Sequence, residues 1–287
     1  MKILFWNIGK TLSKKKQDLI KEAISEQAPD IFCVAEGSYS IMDCQIIIDI
    51  FETNDYFCYY SPLFFQIKNL KLNYKYKRNG LKIFVKDKSI LKEAFSFANQ
   101  RQDGRIIVLK ATINLKLTTI IFLHNFSKSG NREVTDDQRK FILSLSDMIE
   151  IGQISKDTER IIIIGDFNLE PWENILRHKS YLKTSFIQQH NSINLRKANT
   201  TNHYFNPIAE MIFESKIENL GGTYFSDGNG WALFDYCLYE TKNTNISYGV
   251  ITEINGTNKL LNHDTTIDRA FLIEEFDHLP IITQINN

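Results

Sequence analysis

Apolar residues recur along this chain with two different periods, and the switches between them mark its elements. Residues 1–8 (MKILFWNI) are rich in large apolar side chains and alternate, which predicts a first strand. Leu19, Ile20, Ala23 and Ile24 then fall on one helical stripe, with Thr11 or Ser13 as the cap and Pro29-Asp30 as the stop, so a helix is expected to run to residue 28. IFCVAE (31–36) reads as a strand with Glu36 at its carboxyl end, 41–52 as a helix and 56–60 as a strand. Further strands are predicted at 80–86, 105–115 and 118–124, the last two separated by only two residues and therefore a hairpin. Phe141, Leu145, Met148 and Ile149 are spaced as the buried face of a helix over 135–151. Four consecutive isoleucines make 160–164 a strand buried on both faces. After a helical and polar stretch come strands at 221–226, 232–239, 246–254 and 279–285.

Hairpins mixed with strand–helix units predict a mixed sheet, or a pair of sheets, covered by helices. No internal repeat, low-complexity tract or Pro/Gly-rich linker interrupts the 287 residues, so a single domain over 1–287 is expected. Composition changes this picture little: 43% of residues are hydrophobic, enough for a sizeable core. Lysine plus arginine equals aspartate plus glutamate at 34 each, so any attraction for an anionic partner must be local. The amino terminus reads as a strand rather than a signal peptide, and no run approaches the roughly 18 apolar residues of a membrane span. Cys33, Cys44, Cys58 and Cys237 show no CxxC spacing and read as free thiols of a reducing cytoplasm rather than a zinc site.

The chemistry lies at the polar residues that close the apolar strands. Asn7 comes after KILFW, Glu36 after IFCVA, His124 and Asn125 after IIFL, and Asp166 and Asn168 after IIIIG. Asp235 sits inside WALFDYCLYE, where a buried carboxylate needs a partner and a histidine is the natural one. Asp277 and His278 immediately precede LPIIT. Open sheets gather ligands at the carboxyl ends of their strands. A set of Asn, Asp, Glu and His there suits phosphoryl groups and an oxygen-preferring cation such as Mg²⁺ better than zinc.

The ordered series WNIG (6–9), AEG (35–37), LHN (123–125), GDFN (165–168), WALFDY (231–236) and DHLP (277–280) resembles the endonuclease/exonuclease/phosphatase superfamily. The resemblance spans nearly the whole chain and implies the α+β DNase I-like sandwich: two packed, mixed, mainly antiparallel sheets flanked by helices in four layers. It also implies a phosphodiester hydrolase dependent on Mg²⁺ or Mn²⁺. By the same resemblance, Glu36, Asn7 and Asp277 would lie at the metal, and Asp166 would orient or deprotonate the attacking water. Asn168 would contact the scissile phosphate, His124 would aid phosphate binding or protonate the leaving group, and Asp235 would orient His278. Two departures stand out: Gly9 occupies the place of an aspartate found in some apurinic endonucleases, and Phe276 that of a common serine.

The substrate is less legible. Residues 66–92 carry nine lysines or arginines against one acid, Asp87, with tyrosines interleaved. Lys75, Tyr76, Lys77 and Arg78 are the candidate substrate-binding residues of a basic loop that would follow a nucleic-acid backbone. A nuclease is therefore the expected activity. A phosphatase or phosphodiesterase of a small or lipid phosphoester such as an inositol phosphate is the alternative, and a catalytically inactive binding module of the same fold is less favoured.

Overall fold

The computed structural model describes residues 1–9, 11–37, 40–60, 80–96, 104–128, 133–152, 154, 158–186, 203–208, 222–226, 230–240, 245–257, 259–264, 269–273 and 275–286. The chain opens with β1 (Lys2–Asn7), α1 (Lys14–Gln27), β2 (Ile31–Ala35), α2 (Ile41–Glu52), β3 (Phe57–Tyr60) and β4 (Lys82–Val85). It continues through β5 (Leu91–Ser96), β6 (Ile106–Ile113), β7 (Lys116–His124), α3 (Asp136–Glu150), β8 (Arg160–Asp166) and α4 (Asn174–Arg177). Next come the short strands β9 (Thr184–Ser185), β10 (Tyr204–Phe205), β11 (Tyr224–Ser226) and β12 (Gly230–Ala232). The last are β13 (Asp235–Glu240), β14 (Ile246–Val250), β15 (Leu261–Asp264), β16 (Arg269–Leu272) and β17 (Ile281–Ile285).

Two sheets form the centre. One runs β14-β17-β1-β2-β4-β3 and the other β5-β6-β7-β8-β13-β10-β9. Pairing is mainly antiparallel, with β1–β2, β7–β8 and β9–β10 parallel. The alternation of each strand sorts its side chains between layers. Ile3, Phe5, Ile31 and Cys33 pack against Ile120, Phe122, Ile162 and Ile164 between the sheets. Leu4, Trp6, Phe32 and Val34 face α1 and α2 on the outside of the first sheet. Ile121, Leu123, Ile161 and Ile163 face α3 and α4 on the outside of the second. The isoleucines of β8 are thus split between two cores, and the order helices–sheet–sheet–helices is the expected four-layer sandwich.

Helix starts obey their local chemistry. Ser13 caps α1 by accepting from the Lys16 amide, while Ser40 and Thr135 open α2 and α3 with capping boxes. The β6–β7 hairpin turns through Asn114 and Leu115, both left-handed at φ 51° and 63°, which matches the twist of the flanking strands. One expected strand is broken. The 232–239 run splits between β12 and β13 because the Leu233 amide donates to Glu170 Oε2 and the Phe234 amide to Thr223 Oγ1. Side chains there replace a ladder partner, and Asp235 begins a strand instead of lying within one.

Candidate active site

The parallel pairs and β13 deliver the polar strand ends to one place. Asn7 ends β1 and Glu36 comes just after β2 in the first sheet, while His124 and Asp166 are register partners at the ends of β7 and β8 in the second. Asp235 opens β13 directly opposite Asp166. Asp277 and His278 sit just before β17, where His278 bridges to Tyr224 of β11. Close approach of β8 to β7 depends on Gly165, since a Cβ there would lie 2.0 Å from the Leu123 carbonyl oxygen.

Asp166 is the hub. Its Oδ1 accepts from the Asn168 amide at 2.8 Å, and its Oδ2 accepts from Asn7 Nδ2 at 3.0 Å and Asn168 Nδ2 at 2.9 Å. The Asn7 bond ties the end of one sheet to the end of the other. Asn168, left-handed at φ 49°, closes the turn as asparagine readily does, and its Nδ2 also donates to the Asn125 carbonyl at 3.2 Å. Both amide protons of Asn168 are therefore engaged within the protein. His124 Nε2 lies 3.5 Å from Glu36 Oε1 and 3.7 Å from Asp166 Oδ2. His278 Nδ1 is 2.7 Å from Asp235 Oδ2, and its carbonyl accepts from Trp6 Nε1 at 3.0 Å. Its Nε2 lies 3.9 Å from Asp166 Oδ2 and 3.4 Å from Asn7 Nδ2, and the residue lines the pocket.

Asn7, Glu36, His124, Asp166, Asn168, Asp277 and His278 line this one pocket, of about 600 Å³. Asp235, fully buried, stands behind His278 rather than in the lining. Lys75, Tyr76, Lys77 and Arg78 lie outside the described residues.

No protein-family model matches the sequence, and no curated protein does. Solved structures do match. A truncated TDP2 from Caenorhabditis elegans is 13% identical, covering 98% of this chain and 96% of its own, with a TM-score of 0.59. The 3′ phosphatase NExo from Neisseria, bound to a product DNA hairpin, is 12% identical over the whole of both chains, with a TM-score of 0.58. D. rerio TDP2 with a single-strand DNA product is 13% identical over 100% of this chain and 99% of its own, with a TM-score of 0.56. These solved structures belong to the endonuclease/exonuclease/phosphatase superfamily.

The chain has the DNase I-like fold.

Within this DNase I-like sandwich the site is crowded with charge. Burial pushes the Asp166 carboxyl from 3.8 up to about 7, and the neighbouring Asp235 adds to the rise, while the positive His278 and the donors Asn168 and Asn7 hold it back. Burial likewise raises Asp235, with His278 opposing. Burial opposes a charged His278, yet Asp235, then Asp166, outweigh it and lift the imidazole from 6.5 to about 10. The two carboxylates thus favour the charged form of His278, with Nδ1 donating to Asp235, while Nε2 lies 3.4 Å from Asn7 Nδ2 and 3.9 Å from Asp166 Oδ2.

Two buried lysines and a half-buried arginine, none of them singled out in the sequence, pin the loops that leave these strand ends. Lys16 Nζ donates to the Ile8 carbonyl, one residue past Asn7. Lys82 Nζ donates to the Glu36 carbonyl at 2.6 Å, supporting a glutamate with φ 60°. Arg105 Nη1 donates to the carbonyls of His124 and Asn125 at 3.0 and 3.1 Å. Burial lowers all three against the pull of nearby acids: Asp277 and Glu36 at Lys16, which comes down to about 8, and Asp166 and Glu36 at Arg105. Lys82 thus points inward and is lost to the basic stretch in which the sequence counted it.

Both departures from the pattern that the sequence resembles have structural reasons. Gly9 has φ 65°, and a Cβ there would come within 2.9 Å of Asp277 Oδ1 and 3.6 Å of Lys16 Nζ, so Asp277 and a lysine fill that corner. Phe276 is buried, stacks on Trp6 at 4.4 Å and lies under Lys16 Nζ.

Asp166, Asp235 and His278 have ligand atoms within 4.8 Å of one another, as a metal site would require. The 2.7 Å bond between His278 and Asp235 occupies two of those atoms, which makes this cluster a hydrogen-bonded relay. The oxygen donors of Glu36, Asp277 and Asn7 in the pocket lining fit a hard divalent cation better.

Proposed function

We propose that this chain is a divalent-metal-dependent phosphodiester hydrolase acting on nucleic acid, with residues 1–287 as one domain. The observation that carries the reading is the hydrogen-bonded convergence of Asn7, Asp166, Asn168, His278 and Asp235 from both sheets on one pocket also lined by Glu36, Asp277 and His124. Pairing of β1 with β17 joins the two ends of the chain in one sheet, which supports the single domain.

Glu36, Asp277 and Asn7 would hold Mg²⁺ or Mn²⁺. When bound, such an ion neutralises phosphate charge and stabilises a departing oxygen. The remaining tasks fall to the chain itself. Asp166, fixed by three donors and raised to about 7, is placed to orient the attacking water and take its proton. His278 directs a charged Nε2–H at the phosphoryl oxygens, where donors held in place by the fold stabilise growing negative charge. Asp235 keeps that imidazole protonated on Nδ1 and correctly turned. His124, between Glu36 and Asp166, is placed for the phosphate or the leaving group. Asn168, its amide protons committed, serves best by fixing Asp166 and the Asn125 loop, unless one of those bonds is released on substrate binding. The DNA products bound by NExo and D. rerio TDP2 support a nucleic-acid substrate.

Purified protein with Mg²⁺ or Mn²⁺ should hydrolyse at least one of plasmid, single-stranded DNA, RNA and bis-p-nitrophenyl phosphate. EDTA should abolish the reaction, and Asp166→Asn should cut it by about a hundredfold or more. Undiminished hydrolysis by Asp166→Asn would overturn the assignment.

A further inference from the structure

A buried cation stands among the acids on the first-sheet side of the pocket. α1 opens with Lys14, Lys15 and Lys16 and has no acid in its first turn, although the aligned amides of a helix start favour negative charge. Two of the three stay outside. Lys14 reaches Asp18 at 3.1 Å and Lys15 reaches Glu275 at 2.9 Å, and both lysines are largely exposed. Lys16 turns inward and is 2% exposed. Its Nζ donates to the Ile8 carbonyl and lies 4.8 Å from the centre of the Phe276 ring, so a carbonyl and a π face replace part of its hydration.

The carboxylates that favour the charged form of Lys16 are Asp277 first, then Glu36 and Glu275. Glu275 is already paired with Lys15, which leaves Asp277 and Glu36, two of the oxygen donors that line the pocket. Gly9 keeps this corner open. A Cβ there would lie 2.9 Å from Asp277 Oδ1 and 3.6 Å from Lys16 Nζ, so the two groups converge on the space that a side chain would fill. A clamp on the Ile8 carbonyl alone needs no charge, since any amide or hydroxyl donor would satisfy it. A buried ammonium is costly unless opposite charge holds it, which gives the two carboxylates a part in keeping it there. Two carboxylates and one ammonium leave a single negative charge at this corner. One divalent ion more than balances it. A second would face both that ion and the ammonium at short range, where low-dielectric surroundings strengthen the repulsion.

We propose that the Lys16 ammonium is a permanent cation of this site, filling the role of a second divalent ion and restricting the pocket to one. This rests on the reading of Glu36, Asp277 and Asn7 as metal ligands of a hydrolase, and the test separates the two.

Metal-free protein is titrated with Mn²⁺ at neutral pH while electron paramagnetic resonance counts the free ion and records the spectrum of the bound one. Wild type should bind one Mn²⁺. Lys16→Gln keeps a donor for the Ile8 carbonyl without the charge, and Lys16→Met removes both. Each should bind two ions and show the spin coupling of two ions held in one pocket, with circular dichroism confirming which variants are folded. Two ions on wild type, or none, would overturn the proposal. So would a single ion on either folded variant, or a second ion without spin coupling. Should the ion count change as expected while wild type cleaves no phosphodiester, the hydrolase reading falls and the Lys16 assignment stands. Should metal-dependent cleavage be found while every folded protein binds one ion, the Lys16 assignment falls and the hydrolase reading stands.

Discussion

Replacing Asp235 by asparagine tests the relay behind the pocket with little change of shape. The 2.7 Å contact between His278 Nδ1 and Asp235 Oδ2 is fully buried, and Asp235 is the largest influence raising the imidazole, from 6.5 to about 10. A charge-assisted bond of this kind contributes about 1.5–3 kcal/mol, equivalent to about 1–2 pH units at about 1.4 kcal/mol per unit. In Asp235→Asn the His278 value should therefore fall to roughly 8–9. Linkage sets the sign. A group raised on folding stabilises the native state fully below its unfolded value and loses that contribution as pH climbs through its folded value. The wild-type advantage over Asp235→Asn attributable to this proton should be complete near pH 6.5 and shrink by about 1.5–3 kcal/mol by pH 10.

Urea unfolding of both proteins at pH 6.5, 8 and 10 measures this. Lys16 works in the opposite direction, since a lysine brought down from 10.5 to about 8 adds stability as pH rises across that window. It is present in both proteins and cancels in their difference, whereas the titration of Asp235 itself and its push on Asp166 do not, so the ring of His278 is followed directly as well. Titration of the His278 ring by NMR gives the same answer independently. A stability difference that stays constant from pH 6.5 to 10 would refute the claim that Asp235 holds the proton on His278.

Asp166, raised to about 7, should add a separate loss of stability as pH rises from about 4 to 7, and this loss should vanish in Asp166→Asn when the two unfolding curves are compared. Gly165→Ala should yield little folded protein by circular dichroism, because its Cβ would sit 2.0 Å from the Leu123 carbonyl oxygen within the paired strands. Arg105→Met should lower kcat about tenfold or more by freeing the His124 and Asn125 carbonyls, with part of the loss restored by Arg105→Lys; equal activity of all three proteins would show that the clamp is dispensable.

What could be read from the sequence is what simple periodicity encodes. The four isoleucines of β8 announced a strand buried on both faces, and they do face two different cores. Polar residues at the ends of apolar strands were legible because such residues have no packing reason to sit there, and five that follow a strand and two that precede one line one pocket. The β12–β13 boundary was not legible, since the chain leaves the ladder where Thr223 and Glu170, distant in sequence, accept its amides. Two-residue strands such as β9 and β10 are too short to show a period. Lys82 is the instructive miss. Within KIFV it shares a face with Phe84, a position where the alternation calls for an apolar side chain, and it was counted instead as one more surface charge. Burying an ammonium costs several kcal/mol unless strong acceptors meet it, and here the acceptors are the backbone carbonyls of Glu36 and Gly80. A residue that breaks its local pattern at such a cost is expected where function requires it. Lys16, buried on α1, repeats the arrangement at the end of β1, and the half-buried Arg105 holds the carbonyls at the end of β7, so basic side chains brace the backbone behind three of the strand ends that carry the site.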